Sequence, residues 1–407
     1  MTEQVVESRI RLAPRVQAVQ PSPSAAISAR ARALRAEGRD IIMLSAGDPD
    51  FPTPDHIQDA AVRAMRAGAT KYTNADGTPA VKEAVCDKFR RENGLDYPPD
   101  QVIVGAGAKA VIFNALMATL DEGEEVIVPA PYWVSYPDMV TLSGGRPVTV
   151  EGDPAHGLKV RSEAVEAAIG PRTRWLILNS PGNPSGAVYG REEYAGLAAM
   201  LRRHPQVLVL SDEVYEHVVF EGTHVAFAAA CPDLADRTLT VNGVSKAYAM
   251  TGWRIGYAGG PARIVRAMTT VQSQSASNPC SISQAAAVEA LTGPQDLLAE
   301  RRDILRHRRD LMVAGLRRCP GIEVHTPPGA IYAYARCTPL IGRRTTDGRR
   351  IDSDTDLALY LLDRAGVAVV QGAAYGMSPY LRLDFSVDEP LIEEACRRIQ
   401  AACQSLA

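Results

Sequence analysis

Cysteine is scarce and irregularly placed: seven residues among 407 (Cys86, Cys231, Cys280, Cys319, Cys337, Cys396 and Cys403), with no CxxC pair. An odd set at such spacing signals neither a disulfide framework nor a zinc site, so most read as buried thiols or unremarkable surface residues. The seven histidines show no HExxH spacing and no GxSxG elbow occurs, which leaves metal and serine hydrolase chemistry without support. Charge of either sign is not in excess: 44 Lys and Arg against 47 Asp and Glu give -3, too little field to hold nucleic acid or an anionic membrane. No apolar run approaches the roughly 18 to 20 residues of a membrane span, and the opening MTEQVVESRIRLAPRVQ has no apolar stretch of the signal-peptide kind. These absences predict a cytoplasmic protein whose partners are small molecules or other proteins, with no metal.

What is present is a chain of average globular composition, 46% apolar and 22% charged, long enough at about 150 residues per domain for two or three domains. The first 30 residues carry Pro14, Pro21 and Pro23 and read as an arm, followed by a helix over 24–37 stopped at Gly38. Between about 100 and 260, seven short apolar runs alternate with helical stretches: QVIVGAG, EEVIVPAP, RPVTV, RWLILNSP, QVLVLSDEVY, TLTVNGVSK and RIGYAGG. That alternation predicts an α/β fold with a seven-stranded, mainly parallel sheet covered on both faces. A helical stretch over 283–318, broken near Gly293 and Pro294, leads into a smaller α+β unit with strands near IYAYARC, VAVVQG and YLRLDFS and a final helix, EPLIEEACRRIQAACQSL. The charged RRDILRHRRD within it reads as a solvated helix face. The domains expected are 1–45, an arm and helix that join the small domain, 46–290, a large ligand-binding domain, and 291–407, the small domain.

In sheets of this kind ligands bind beyond the carboxyl ends of the strands, and there this sequence is polar and glycine-rich. Asp212 follows VLVLS, with Tyr215 three residues on; a carboxylate at that place calls for a cation, although a turn cap beside a core tyrosine explains the pair equally well. Lys246 ends TLTVNGVSK beside Ser245, with Arg254 eight residues later. A lysine confined among cations loses pKa and becomes a nucleophile for carbonyl carbon, and the three together point to an anion next to a reactive amine. Gly105 to Lys109 joins a strand to the helix AVIFNALMATL and would offer N–H groups to a phosphate, a weak signal alone. It also fits a loose GxGxxA, but Pro129 stands where a dinucleotide fold needs an acid, and Lys109 lacks the flanks of a phosphate-binding P-loop. Trp133 in PAPYWVSY would stack on a flat ring or pack in the core. NSPGNPSG sets Asn179 and Asn183 among prolines at the ligand edge. Arg382 in YLRLDFS is either a surface arginine or a bidentate partner for a carboxylate.

Taken in order, AGDPDF (46–51), KYTNADG (71–77), PYWVSYP (131–137), NSPGNPSG (179–186), SDEVYEH (211–217), VSKAYAMTGWRIGY (244–257) and LRLDFS (381–386) resemble the class I pyridoxal phosphate aminotransferases over nearly the whole chain. The likeness is nearest to the bacterial aspartate and prephenate aminotransferase branch. It implies pyridoxal 5'-phosphate, held covalently by Lys246, whose freed amine later moves the substrate's α-proton. Asp212 would pair with the pyridine nitrogen, Tyr215 and Asn183 with the ring hydroxyl, and Trp133 would stack on the ring. The phosphate would lie among Ser245, Arg254, Gly107 and the N–H groups of Ala108 and Lys109, with Tyr72 reaching it from a partner subunit in a homodimer. Arg382, Asn183, Trp133 and Gly47 would hold the substrate, and Lys109 would face a distal carboxylate.

The departures lie on the substrate side: QPSPS (20–24), GAKA (107–110) and GAIY (329–332) replace KPSAT, GGKQ and GAFY of relatives with acidic substrates, so Gln20, Ala108, Ala110 and Ile331 bear on specificity. The leading expectation is transfer of an amino group from an L-amino acid to a 2-oxo acid, with a dicarboxylic substrate in one half-reaction. A lyase, decarboxylase or amino-acid oxidase of the same fold type, or a transferase of altered, non-acidic specificity, is the alternative. A cofactor-binding regulator is disfavoured by the filled catalytic positions. A nicotinamide oxidoreductase leaves Lys246, Asp212 and Arg254 without a role.

Overall fold

All seven apolar runs form strands of one sheet. The computed structural model describes residues 11–19 and 23–407, and its strands are β1 (Ile42–Met43), β2 (Val102–Gly105), β3 (Glu125–Ala130), β4 (Arg146–Glu151), β5 (Thr173–Asn179), β6 (Leu208–Asp212), β7 (Thr238–Gly243), β8 (Gly256–Gly259), β9 (Glu323–Val324), β10 (Tyr332–Arg336), β11 (Val367–Ala368), β12 (Val370–Gln371) and β13 (Tyr380–Asp384). The large sheet has the order β2-β8-β7-β6-β5-β3-β4, parallel except for β8, which runs antiparallel to both neighbours. The helices used below are α1 (Pro23–Ala36), α2 (Pro79–Lys88), α3 (Ala108–Thr119), α4 (Ser135–Leu142), α5 (Arg191–Leu201), α6 (Ala262–Ser275), α7 (Ser281–Thr292), α8 (Asp296–Arg317) and α9 (Glu389–Gln404).

Helices cover both faces of the sheet, which is why its strands read as continuous apolar runs rather than alternating ones. Along β5, Trp175 and Ile177 join the cluster under α3 and α6, while Leu176 and Leu178 join the opposite cluster under α5, the two-residue period of a strand buried on both sides. The smaller antiparallel sheet, β12-β13-β10-β9, packs Leu381 and Leu383 against Leu305, Met312 and Leu316 of α8 and Ile392 and Ile399 of α9. β1 pairs in parallel with β11, and so ties residues 42–43 to this C-terminal unit. α1 stops where expected, with Gly38 at φ +87°, the left-handed exit that glycine takes without cost.

Two expectations need correction. The phosphate-loop helix begins at Ala108, two residues before the expected start, so only Ala106 and Gly107 separate β2 from α3. RRDILRHRRD is not wholly solvated: Arg308 and Arg309 are buried, Arg308 between Asp50 (2.7 Å) and Asp388 (3.3 Å) with its guanidinium 5.2 Å from the Phe51 ring, and Arg309 over Phe220. The segment is helical as its spacing predicts, but Asp50, Asp388 and the rings of Phe51 and Phe220 that offset the burial come from distant segments. Gln20 lies outside the described residues. Six cysteines are buried free thiols and Cys280 is exposed. No helix among the described residues is long and apolar enough to cross a membrane.

Candidate active site

A cavity of about 260 Å³ opens at the carboxyl ends of β2, β3, β5, β6 and β7, where the turn after each strand delivers one side chain or backbone edge. It is lined by Gly47, Ala108, Lys109, Trp133, Asn183, Asp212, Tyr215, Ser245, Lys246, Arg254 and Arg382, which are all but Gly107 and Tyr72 of the residues expected to hold cofactor or substrate. Gly107 stands just behind the lining. Tyr72 does not enter the cavity of its own chain and is 88% exposed.

The β2–α3 turn is shaped by glycine. Gly107 caps α3 at φ +91°, and a Cβ there would come within 2.3 Å of Arg254 Nη2. The N–H groups of Ala108 and Lys109 open the helix and find no acceptor within it. Arg254, itself left-handed at φ 57°, donates to the carbonyls of Thr251 (2.8 Å) and Ala106 (3.4 Å) and pairs with no carboxylate among the described residues. A guanidinium beside free helix N–H groups, with Ser245 at the same rim, is a site for a dianion.

Lys246 Nζ donates to the carbonyl of Gly47 at 2.5 Å. Desolvation lowers its pKa to about 8, helped by Arg382 and Arg254 and opposed by Asp384 and Asp48. The amine is therefore partly free near neutral pH, as imine formation requires. Asp212, the last residue of β6, is buried and bonded only by neutral donors, the Tyr136 hydroxyl at 2.6 Å and the Val214 N–H at 3.3 Å. Burial pushes its carboxyl up to about 6 against both bonds. Such a carboxylate suits a cationic partner, and none of the described residues supplies one.

Asn179 lines the cavity, but its amide is used locally: Oδ1 accepts from the Asn183 N–H at 2.8 Å and Nδ2 donates to the Asp212 carbonyl at 3.0 Å, which fixes the proline-rich loop. Asn183 Oδ1 in turn accepts from Arg382 Nη1 at 3.2 Å. Arg382 is buried, gives Nη2 to the Ser45 carbonyl at 2.5 Å, lies 4.3 Å over the Tyr332 ring, and keeps Nε without a partner. A buried arginine with an orphaned donor at a cavity wall suits a carboxylate. Lys109 Nζ sits 4.8 Å from the centre of the Trp133 ring; desolvation and the nearby Arg254 lower its pKa, with Asp138 opposing.

Sequence reasoning missed two tyrosines. Tyr136, which holds Asp212, follows Trp133 by three residues across the turn that leads into α4, where its N–H donates to the Trp133 carbonyl at 3.0 Å, and their rings meet edge-on at 5.3 Å. Tyr332 reaches the Tyr215 hydroxyl at 2.7 Å; its signal was the alternation Tyr332, Tyr334 opposite Arg382 and Asp384. Of the specificity departures, Ile331 belongs to the C-terminal core and does not line the cavity, whereas Ala108 does.

Residues 39–399 match the family model for aminotransferase class I and II. The chain belongs to this family. It is similar to the aspartate/prephenate aminotransferase of Cereibacter sphaeroides, 54% identical over 96% of this chain and 98% of that relative, and to an aspartate aminotransferase of Rhizobium meliloti, 50% identical over 99% and 98%. Among solved structures, the Rhizobium meliloti aspartate aminotransferase matches with a TM-score of 0.95 at 51% identity, over 98% of this chain and all of that one. The Thermus thermophilus aspartate aminotransferase with maleate matches at 0.90 and 42%, over 97% of this chain and all of that one. This class I and II aminotransferase thus has both the layered sheet and a cavity at the strand ends where its sequence points.

Proposed function

We propose that the chain is a cytoplasmic pyridoxal phosphate aminotransferase that moves the amino group of an L-amino acid to a 2-oxo acid, with a dicarboxylic substrate in one half-reaction. The observation that carries this is the coexistence, in one cavity, of an uncompensated Arg254 beside free helix N–H groups, a lysine of lowered pKa, and a buried carboxylate lacking a cation. These three match, in order, a phosphate, an aldehyde and a protonated pyridine nitrogen. When bound, the cofactor supplies an electron sink for the pair left on the substrate's α-carbon.

The chain's own residues do the rest. Ser245, Arg254, Gly107 and the N–H groups of Ala108 and Lys109 hold the phosphate; Tyr215 and Asn183 hold the ring oxygen; Trp133 covers the ring face; Asp212 keeps the ring nitrogen protonated. Lys246 Nζ takes the proton from the α-carbon. Arg382, supported by Asn183 and with Gly47 and Trp133 alongside, orients the substrate through its α-carboxylate, and Lys109 meets a distal one. The exposed Tyr72 reaches a partner's phosphate in a homodimer, and the domain limits follow as 1–45, 46–290 and 291–407. The names of the relatives, aspartate and prephenate aminotransferases, support an acidic substrate.

Borohydride treatment of holoenzyme, followed by peptide mapping, should place the reduced cofactor on Lys246; another lysine would refute the assignment. A donor and acceptor screen read by mass spectrometry should then show aspartate, glutamate or a prephenate-like acid turned over.

A further inference from the structure

Tyr332, at the start of β10, touches three parts of the cavity at once. Its hydroxyl lies 2.7 Å from that of Tyr215. Its ring carries the Arg382 guanidinium 4.3 Å above its centre. Its oxygen also fills the space where Gly47 would have a Cβ, 2.3 Å away, and the carbonyl of Gly47 receives the Lys246 amine. Gly47, at φ +67°, is thus glycine both for its backbone and for this approach.

We propose that Tyr332 is a positioning residue with two separable parts: its hydroxyl donates to Tyr215 and so fixes Tyr215 as donor to the cofactor ring oxygen, while its ring holds Arg382 for the substrate carboxylate. The inference rests on the cofactor reading above. Two phenols in contact share one hydrogen bond, and each has one proton. If Tyr215 gives its proton to the ring oxygen, only Tyr332 is left to donate between the pair. Burial pushes the Tyr332 pKa up to about 12, so that proton stays in place over the working range. A bond received at its oxygen polarises Tyr215 and makes it the stronger donor.

Tyr332→Phe removes the proton and keeps the ring, and Tyr332→Leu removes both. Each holoenzyme is titrated for the pH midpoint of its visible absorbance and for its dissociation constant for succinate, a dicarboxylate that cannot react. A ring oxygen deprived of a strong donor becomes more basic and holds the proton it shares with the lysine nitrogen to higher pH. The midpoint should therefore rise in Tyr332→Phe by roughly 0.5 to 1 unit, the size of one hydrogen bond, with succinate affinity within about twofold of the parent. Tyr332→Leu should raise the midpoint similarly and weaken succinate about threefold to thirtyfold, the range for loss of a desolvated cation–π contact. An unmoved midpoint in Tyr332→Phe, or equal loss of succinate affinity in both variants, overturns the proposal. A parent that takes up no pyridoxal phosphate overturns it together with the cofactor reading; a parent that titrates normally confines the failure to Tyr332.

Discussion

Asp212 and Glu213 are consecutive buried acids at the end of β6, and their surroundings differ. Glu213 accepts from Ser211 Oγ (2.8 Å), the Phe227 N–H (3.1 Å) and His224 Nε2 (3.0 Å). Close by, Glu216 is bonded by Lys88 and by Asn93 (2.6 Å), and His217 bridges to Glu92 at 2.9 Å. Burial raises the Glu216 carboxyl, but Lys88, His217 and His224 outweigh it and hold it down to about 2. On the cavity side Asp212 has neutral donors only and is raised to about 6. One cluster of buried charge is completed within the chain and is structural; the other is left incomplete among the described residues, a deficit of the kind found where ligands bind.

The hardest way to break the cavity side is Lys246→Ala. Loss of the nucleophile should lower transamination by about 10⁴-fold or more, with the variant still folded. In the parent, the rate at which Lys246 reacts with pyridoxal phosphate should rise through pH 8, because the amine is protonated and unreactive below its lowered pKa, whereas ordinary lysines follow near 10.4. A midpoint near 10.4 for Lys246 would remove the desolvated-amine account.

Much of the cavity side was legible because most of its residues follow an apolar run, and a strand end fixes position in a doubly wound sheet. For Asp212, Lys246 and Asn183 the strand end indicated the place, and the family resemblance the role. The structural cluster was not legible, since Lys88 is an ordinary residue of an amphipathic helix and its partner Glu216 lies 128 positions away. Nothing local in α2 distinguishes a buried lysine from a surface one. Tyr136 and Tyr332 were hidden for a related reason: each acts through another side chain, and only the packing of α4 and the register of β10 on β13 show which one.

The structural cluster is broken by Lys88→Met. It leaves Glu216 buried without its cation, and should cost about 3 to 5 kcal/mol of stability while activity per folded molecule changes little. The sign with pH follows from the depressed Glu216 carboxyl: its contribution is fully present above about 4.5 and is lost as pH falls towards 2, so urea midpoints of parent and variant should converge in acid. A variant as stable as the parent, or one inactive when folded, would contradict the division between the two clusters.

Asp212→Asn reverses the pattern, with stability kept or improved, because a raised carboxyl is a burden in the empty cavity, and chemistry impaired. Single-turnover α-proton removal should fall by about 10²-fold or more, since the lost charge is needed where negative charge develops. Normal single-turnover rates would overturn the role given to Asp212.

The smallest effect belongs to Lys109, where the comparison is sharpened rather than broken. Its ammonium lies over Trp133 at the cavity mouth, partly desolvated and close to Arg254, yet the residue still reaches solvent, so a bound distal carboxylate gains a partly screened interaction. The deficit that marks Asp212 is weaker here, because this residue keeps access to solvent, and Lys109→Met should cost only about tenfold in kcat/KM, at the low end for a hydrogen bond to a charged group. That loss should appear on glutamate and not on leucine, because Arg382 alone meets the carboxylate both substrates share. Equal losses on the two would mean that Lys109 acts through the phosphate-loop backbone or through Trp133. A parent that turns over leucine but neither glutamate nor aspartate would mean that the cavity has abandoned acidic substrates altogether.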